Sequence, residues 1–344
     1  MQAVILAAGK STRTYPLTLT KPKPLLKAAN KTILEHNLDS LNNLADEAIV
    51  ILGYKKNSIK KRFGSKYKNL KIRYVEQKQQ LGTGHAVSLA EKFIKGRFIL
   101  LAGDDVYSRQ DIKNCIRHQY SILTAKVENP QNFGVIIAKN GILADFIEKP
   151  KKNLSDTIST SLYVLDKKIF SYIKKIKKSE RNEIEMPDAV NLLSKDEKVY
   201  CVASKLWLPI GYPWDLLKAD LILRKGKNFI GKKSKILGRV LNSSIGVNCK
   251  VKGFVKNSII MDNSIIEKDS IVKDSVIGEN VCFRGKINST GNSSSFVNGK
   301  IIKTGRFGAV IGDNAFVKNV VILPGSKIWP AKRIINQTIA KDII

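Results

Sequence analysis

Histidine is almost missing from this 344-residue chain. There are three, His36, His85 and His118, so nothing after position 118 can use imidazole chemistry. The four cysteines (Cys115, Cys201, Cys249, Cys282) are scattered and form no C-x-x-C pair. Disulfides and a zinc site are therefore poor readings, and reduced, buried thiols fit a cytosolic protein. Long apolar runs are lacking too. Stretches such as 45–53 and 98–103 fall far below the roughly 20 residues of a membrane span. No charged n-region, apolar h-region or cleavage site precedes the strand-like Ala3-Val4-Ile5-Leu6-Ala7, so the sequence reads as cytoplasmic, without a membrane.

Acidic residues are scarce, 29 Asp and Glu against 60 Lys and Arg, a net charge of +31. Such a surplus can mark nucleic-acid binding. Here the lysines occur in every segment, as in Lys174-Lys175 and Lys177-Lys178, without aromatic interleaving or a reader motif. A polyanionic small substrate, needing only a few well-placed lysines, is the better reading. A hydrophobic content of 43% excludes a disordered chain, and the length allows two domains.

The first two-thirds alternates strand-like and helix-like stretches. Residues 3–8, 47–52, 71–75 and 98–101 read as strands, and 33–44, 58–63 and 83–94 as helices. That alternation predicts a parallel sheet with helices on both faces. Ligands of such sheets bind at the carboxyl ends of strands, here the loops after Ala8, after Leu101 and around Leu81–Gly84. A last helix is expected from Trp214 to about Lys225, with Pro213 at its start and Gly226 after it.

Beyond it a period of six takes over. Ile260, Ile266 and Val272 are six apart, followed by Ser264, Ser270 and Ser275, and the register resumes at Ile277. Ile311, Val317, Leu323 and Trp329 repeat the spacing, with Ala315 and Val321 four places after the first two. An aliphatic anchor and a small corner residue in each six suit a parallel β-helix, whose stacked coils bury a core no single coil could. Trp329 would close the last coil. Residues 286–304, rich in Ser, Asn, Gly and Lys, break the repeat and predict a protruding loop. The expected domains are 1–226 and 227–344.

Ala7-Ala8-Gly9-Lys10-Ser11-Thr12-Arg13 follows the first strand directly. Its small residues let backbone N–H groups approach phosphate oxygens, and Lys10 and Arg13 add charge. It is not a P-loop, because Val4 stands where that motif needs glycine. Pro22-Lys23-Pro24 then stiffens the backbone around one lysine.

Leu6 to Arg13, Pro16-Leu17-Thr18 and Lys21-Pro22-Lys23-Pro24-Leu25 together resemble the signature of the nucleotide-sugar pyrophosphorylase family. Members join a nucleoside triphosphate to a sugar 1-phosphate and release pyrophosphate. Gln77, Gln80 and Leu81-Gly82-Thr83-Gly84-His85-Ala86 resemble the base-reading segment of its uridylyltransferases. Gly103-Asp104 resembles the metal-binding pair after the fourth strand, and Phe133-Gly134 and Glu148-Lys149-Pro150 the sugar-phosphate elements. The resemblance implies a Rossmann-like α/β domain followed by a hexapeptide-repeat, left-handed parallel β-helix, as in archaeal members. It implies nucleotide binding by Leu6, Ala7, Ala8, Gly9, Lys10, Gln77, Gly82 and Thr83. Lys10 and Arg13 would hold the departing pyrophosphate, and Lys23 would meet charge growing on the α-phosphate. Asp104 would hold Mg²⁺, while Gly134, Glu148, Lys149 and Ser159 would bind the sugar phosphate. The 82–85 segment favours UTP and N-acetylglucosamine 1-phosphate over dTTP and glucose 1-phosphate.

The family's second metal carboxylate aligns with Pro209, which has no donor, and Asp215 six residues on is expected to face along its helix. Ser159-Thr160-Ser161 replaces the more usual Asn-x-Gly at the sugar pocket. Outside its motif Glu148 would be ordinary surface charge; His85 reads as structural and Asp105 as a solvated turn carboxylate. Related bifunctional tails carry a histidine base for acetyl transfer, and the aligned residue here is Lys268. The tail is therefore expected to be structural and to support a homo-oligomer, leaving nucleotidyl transfer to the first domain. A non-catalytic regulatory subunit on the same scaffold is the reading from another class.

Overall fold

The structure, a computed structural model, describes residues 1–152 and 154–344. It divides into two compact units, one of Met1–Gly9 and Leu34–Leu208, the other of Lys10–Ile33 and Pro209–Ile344. In this division residues 10–33 and the last helix group with the residues that follow them, to which ion pairs fasten Lys21 and Lys27.

In the first unit β1 (Gln2–Ala7) lies between β2 (Glu47–Leu52) and β4 (Phe98–Ala102), parallel to both, and β3 (Leu70–Glu76) runs parallel on the far side of β2. Ala48 to Leu52 of β2 are wholly buried, as a strand covered on both faces must be. Antiparallel strands extend the sheet beyond β4, where Thr157–Leu165 sets Leu162 opposite Leu101. The predicted strands agree with these bounds to within about a residue. The helix expected over 83–94 stops at Ser88, followed by a 3-10 turn at Glu91–Phe93. That over 33–44 stops at Leu41. Ala86, Val87 and Ala90 pack with Phe170, Ala189 and Leu193 in the core.

In the second unit short parallel strands stack in the pattern of a β-helix, and the single period of six resolves into three inward ladders. One runs Ile245, Ile260, Ile277, Ile311, Ile328. Another runs Val251, Ile266, Phe283, Val317, Ile334. The third runs Val255, Val272, Ile287, Ile322, Ile339. All are buried. Leu323 and Trp329 are not anchors: Ile322 and Ile328 take the core positions. Asn319, at φ 54°, is the extra residue of a bulge opposite Arg284–Gly285, which carries the chain from inward Val317 to inward Ile322 rather than to Leu323.

Serines do more than turn corners. Ser243, Ser258 and Ser275 each accept an amide from the next coil, from Ser258, Ser275 and Ala309 at 3.0–3.1 Å. Residues 286–304 are not an irregular loop; Thr290–Val297 and Lys300–Phe307 form an antiparallel hairpin.

Candidate active site

In the first unit the carboxyl ends of the parallel strands gather the expected residues. Ala8, leaving β1, accepts hydrogen bonds from the Tyr54 amide at 3.0 Å and from Gln80 Nε2 at 2.9 Å. The Gly103 amide donates to Leu6 at 2.8 Å, and a Cβ at Gly103 would lie 2.9 Å from that same oxygen. Only glycine lets the chain after β4 pass so close to β1, which places Asp104 one residue beyond the crossing. Gln77, buried at the end of β3, has its amide nitrogen 3.2 Å from the Gly82 carbonyl and 3.1 Å from His85 Nδ1. His85 thus helps to fix the glutamine side chain. Gly82, at φ 98°, is strapped to Ile184, which donates to the Leu81 carbonyl and accepts from Gly84. Thr83 Oγ1 accepts the Met186 amide at 3.0 Å.

Gly134 and Glu148 face each other across paired strands. Glu148 is ion-paired with Arg181 at 3.2 Å and lies 3.4 Å from Lys149 Nζ. Arg181 also meets the buried Glu185 at 2.7 Å. Burial, Glu185 and Glu148 together push the Asp188 carboxyl above the usual range, and burial with Glu185 does the same for Glu183. Sequence reasoning missed this acidic cluster around one arginine; the available signal was Glu183-x-Glu185 just ahead of Met186-Pro187, where a proline opens a helix. Ser159 shares a hydrogen bond with the buried Tyr163 hydroxyl at 3.1 Å, and burial raises that phenol far above its normal value. Asp105 is not a solvated carboxylate: its Oδ2 accepts the Trp207 indole N–H at 3.1 Å.

Lys10, Arg13 and Lys23 belong to the second unit. Ser11 has φ 53°, opening a 3-10 turn at Thr12–Thr14, and the Thr14 and Thr18 hydroxyls donate to its carbonyl at 2.8 and 2.9 Å. Lys10 and Arg13 are exposed, whereas Lys23 is 4% exposed. The flanking lysines are anchored: Lys21 pairs with Glu279 at 2.8 Å and Asp313 at 2.9 Å, and Lys27 with Asp262. Asp220, buried with Arg224 at 2.6 Å, accepts the Ala29 amide at 2.8 Å. Asp215 does not face along its helix. It turns back over the helix start and accepts the Gly211 and Tyr212 amides at 2.9 and 2.8 Å. Burial raises its pKa, and those amides together with Lys23 pull it back down.

Residues 2–226 match the Nucleotidyl transferase family, and residues 225–344 match the GMPPB C-terminal domain. The chain is a member of the nucleotidyl transferase family. A Methanococcus maripaludis relative, "Bifunctional protein GlmU", is 36% identical over 95% of this chain and 92% of its own. The "Bifunctional sugar-1-phosphate nucleotidylyltransferase/acetyltransferase" of Sulfurisphaera tokodaii is 32% identical over 97% and 96%. A solved Bacillus anthracis structure, assigned as a glucose-1-phosphate thymidylyltransferase, is similar at TM-score 0.60 and 27% identity, covering 65% of this chain and 96% of that one. A UDP-glucose pyrophosphorylase structure shares the fold at TM-score 0.59, covering 66% and 99%. Nucleotidyltransferases of this family use a divalent metal. Among the described residues there is no cluster of three or more His, Cys, Asp or Glu to hold one, and no helix long and apolar enough to cross a membrane.

Proposed function

We propose that this nucleotidyltransferase moves a uridylyl group from UTP to N-acetylglucosamine 1-phosphate, giving the nucleoside-diphosphate sugar and pyrophosphate. The observation that carries the base choice is Gln77, a buried amide held by Gly82 and His85 at the end of β3. An amide fixed in orientation can pair with the donor and acceptor edge of a pyrimidine. Kinship with the GlmU proteins supports the acceptor. The Bacillus anthracis similarity favours a second reading, dTTP with glucose 1-phosphate.

A sugar-phosphate oxygen attacks the α-phosphorus while the bond to the β-phosphate oxygen breaks, and the pyrophosphate leaves in line. Phosphate is already a competent nucleophile, so the residues position and neutralise charge. Leu6, Ala7, Ala8 and Gly9 bring the backbone to the phosphates. Lys10 and Arg13 hold the leaving pyrophosphate, and Lys23 meets the α-phosphate. Gly134, Glu148, Lys149 and Ser159 take the sugar phosphate.

Asp104 offers the hard oxygen Mg²⁺ prefers, and phosphate oxygens complete such a shell. The Asp105 carboxylate accepts the Trp207 indole N–H and that of Asp215 accepts two backbone amides, while Asp104, in the Gly103-Asp104 pair after β4, is taken as the ligand on its motif. Bound Mg²⁺ would neutralise charge on the triphosphate. The coils are taken as left-handed, the location as cytoplasmic, and the working form as a homo-oligomer. The tail performs no imidazole-based acyl transfer, since no histidine follows His118. Pyrophosphate release across four triphosphates and several sugar phosphates tests the assignment. Fastest turnover with UTP and N-acetylglucosamine 1-phosphate is expected, and a preference for dTTP with glucose 1-phosphate would replace it.

A further inference from the structure

The hairpin inserted between coils reaches the phosphate loop twice. Asn298 and Gly299, at φ 47° and 81°, form the two-residue turn between Val297 and Lys300. Two left-handed central residues are what a type I′ turn requires, and Asn-Gly is its preferred pair. From this tip Asn298 Nδ2 donates to Thr12 Oγ1 at 3.1 Å. The second route starts at the hairpin root. Buried Phe307 meets Trp214 edge-on at 5.6 Å, and Trp214 stacks on Tyr212 at 4.7 Å. The Arg13 guanidinium lies over the Tyr212 ring, 5.6 Å from its centroid. The hairpin is itself seated on a coil: Ser295 Oγ donates to the Gly325 carbonyl at 2.8 Å, and Lys327 Nζ donates to that of Phe296.

The loop needs such support. Its single 3-10 turn is closed by two backbone bonds of 3.2 Å, Thr14 to Ser11 and Tyr15 to Thr12, and turns so short are weakly stable alone. Thr14 and Thr18 secure the Ser11 carbonyl from within the loop.

We propose that the hairpin is a positioning device for the phosphate loop. Asn298 fixes Thr12, and the Phe307–Trp214–Tyr212 stack fixes Arg13, so the tail of the chain sets the geometry of a triphosphate-binding cation. This rests on reading Arg13 as such a cation. Positioning of this kind governs the chemistry because a loop that wanders presents its charge only part of the time.

Asn298→Gly is the decisive variant, because glycine keeps the positive φ and removes only the amide. Thr12→Val removes the partner hydroxyl. The intact chain and its variants are assayed for pyrophosphate release with whichever pair the parent turns over fastest. Amide exchange over residues 11–15 is followed by mass spectrometry. Either variant should lower kcat/KM for the triphosphate about five- to tenfold, the size of one hydrogen bond. The KM for the sugar phosphate and the melting temperature should stay unchanged, and exchange over 11–15 should quicken. The double variant should be no worse than the worse single one. Unchanged kcat/KM and exchange in Asn298→Gly would overturn the proposal, as would additive losses in the double variant. Arg13→Ala separates the causes: if it too keeps full activity, the loop reading fails and the proposal with it.

Discussion

Lys23 and Asp215 show what burial does to a charge. Lys23 is almost wholly out of water and close enough to Asp215 to lower that carboxyl's pKa. Arg13→Ala and Lys23→Ala should each remove roughly 2–4 kcal/mol of transition-state stabilisation, the range for one preorganised charge donor. Steady-state kcat/KM measures it, and near-normal turnover in Lys23→Ala would sink the assigned role. Asp104→Asn should abolish turnover at ordinary Mg²⁺. Asp215→Ala should instead lower the melting temperature, by about the 0.5–2 kcal/mol of a lost cap, with turnover retained. Motif residues stood out in the sequence by their types and spacing. The orientation of Asp215 was not read, although an acid two residues after Pro213 at a helix start is a capping signal. Cys115 yields a pH prediction. Burial pushes its thiol up to about 12 from 9.0, so the folded chain holds this proton where the unfolded chain releases it. Its contribution to stability is full below pH 9 and lost as pH rises towards 12. Chemical unfolding at pH 8 and pH 10 should show a smaller decline in Cys115→Ala than in the parent.

At the level of elements, the coil stack combines ladders of aliphatic side chains with ladders of hydroxyls. Ser258 donates to the Lys256 carbonyl at 2.7 Å and accepts the Ser275 amide at 3.1 Å. Ser258→Ala would strand that buried amide and should cost about 1–3 kcal/mol, read as a lower thermal midpoint. A midpoint equal to the parent's would mean the hydroxyl ladder contributes little. Strands β1 to β4 were legible because apolar runs bounded by turns have few other readings. The coil period was legible only in part: spacing of six finds several anchors, but inward neighbours such as Val251 and Val255, or Val317 and Ile322, stand closer than six. The hairpin was legible in principle, since Asn298-Gly299 between two alternating stretches is a hairpin signal. Its Ser-rich composition concealed it, and nothing in the sequence joined Asn298 to Thr12.

For the whole molecule, the tail is more than an appendage. The carboxylates that hold residues 10–33, Asp220, Asp262, Glu279 and Asp313, all come after position 208. From the sequence, a chain cut at about Ser234 is expected to lose assembly and thermal stability but keep some transfer. The contacts agree on the lower melting and predict little transfer, because Lys21 and Lys27 lose their partners. Retained turnover in that truncated chain would show that the loop holds itself. Light scattering of the intact chain tests the expected oligomer, and sugar-phosphate-dependent release of free CoA from acetyl-CoA would contradict the inert tail. The bond from Thr20 to Asp313 joins residues 293 positions apart. At roughly 5–20 residues per second, the ribosome delivers the second partner about 15–60 s after the first. Residues 10–33 are thus among the first segments made and among the last that can be fixed, so a nascent or prematurely stopped chain carries Lys21 and Lys27 before the carboxylates that pair them exist.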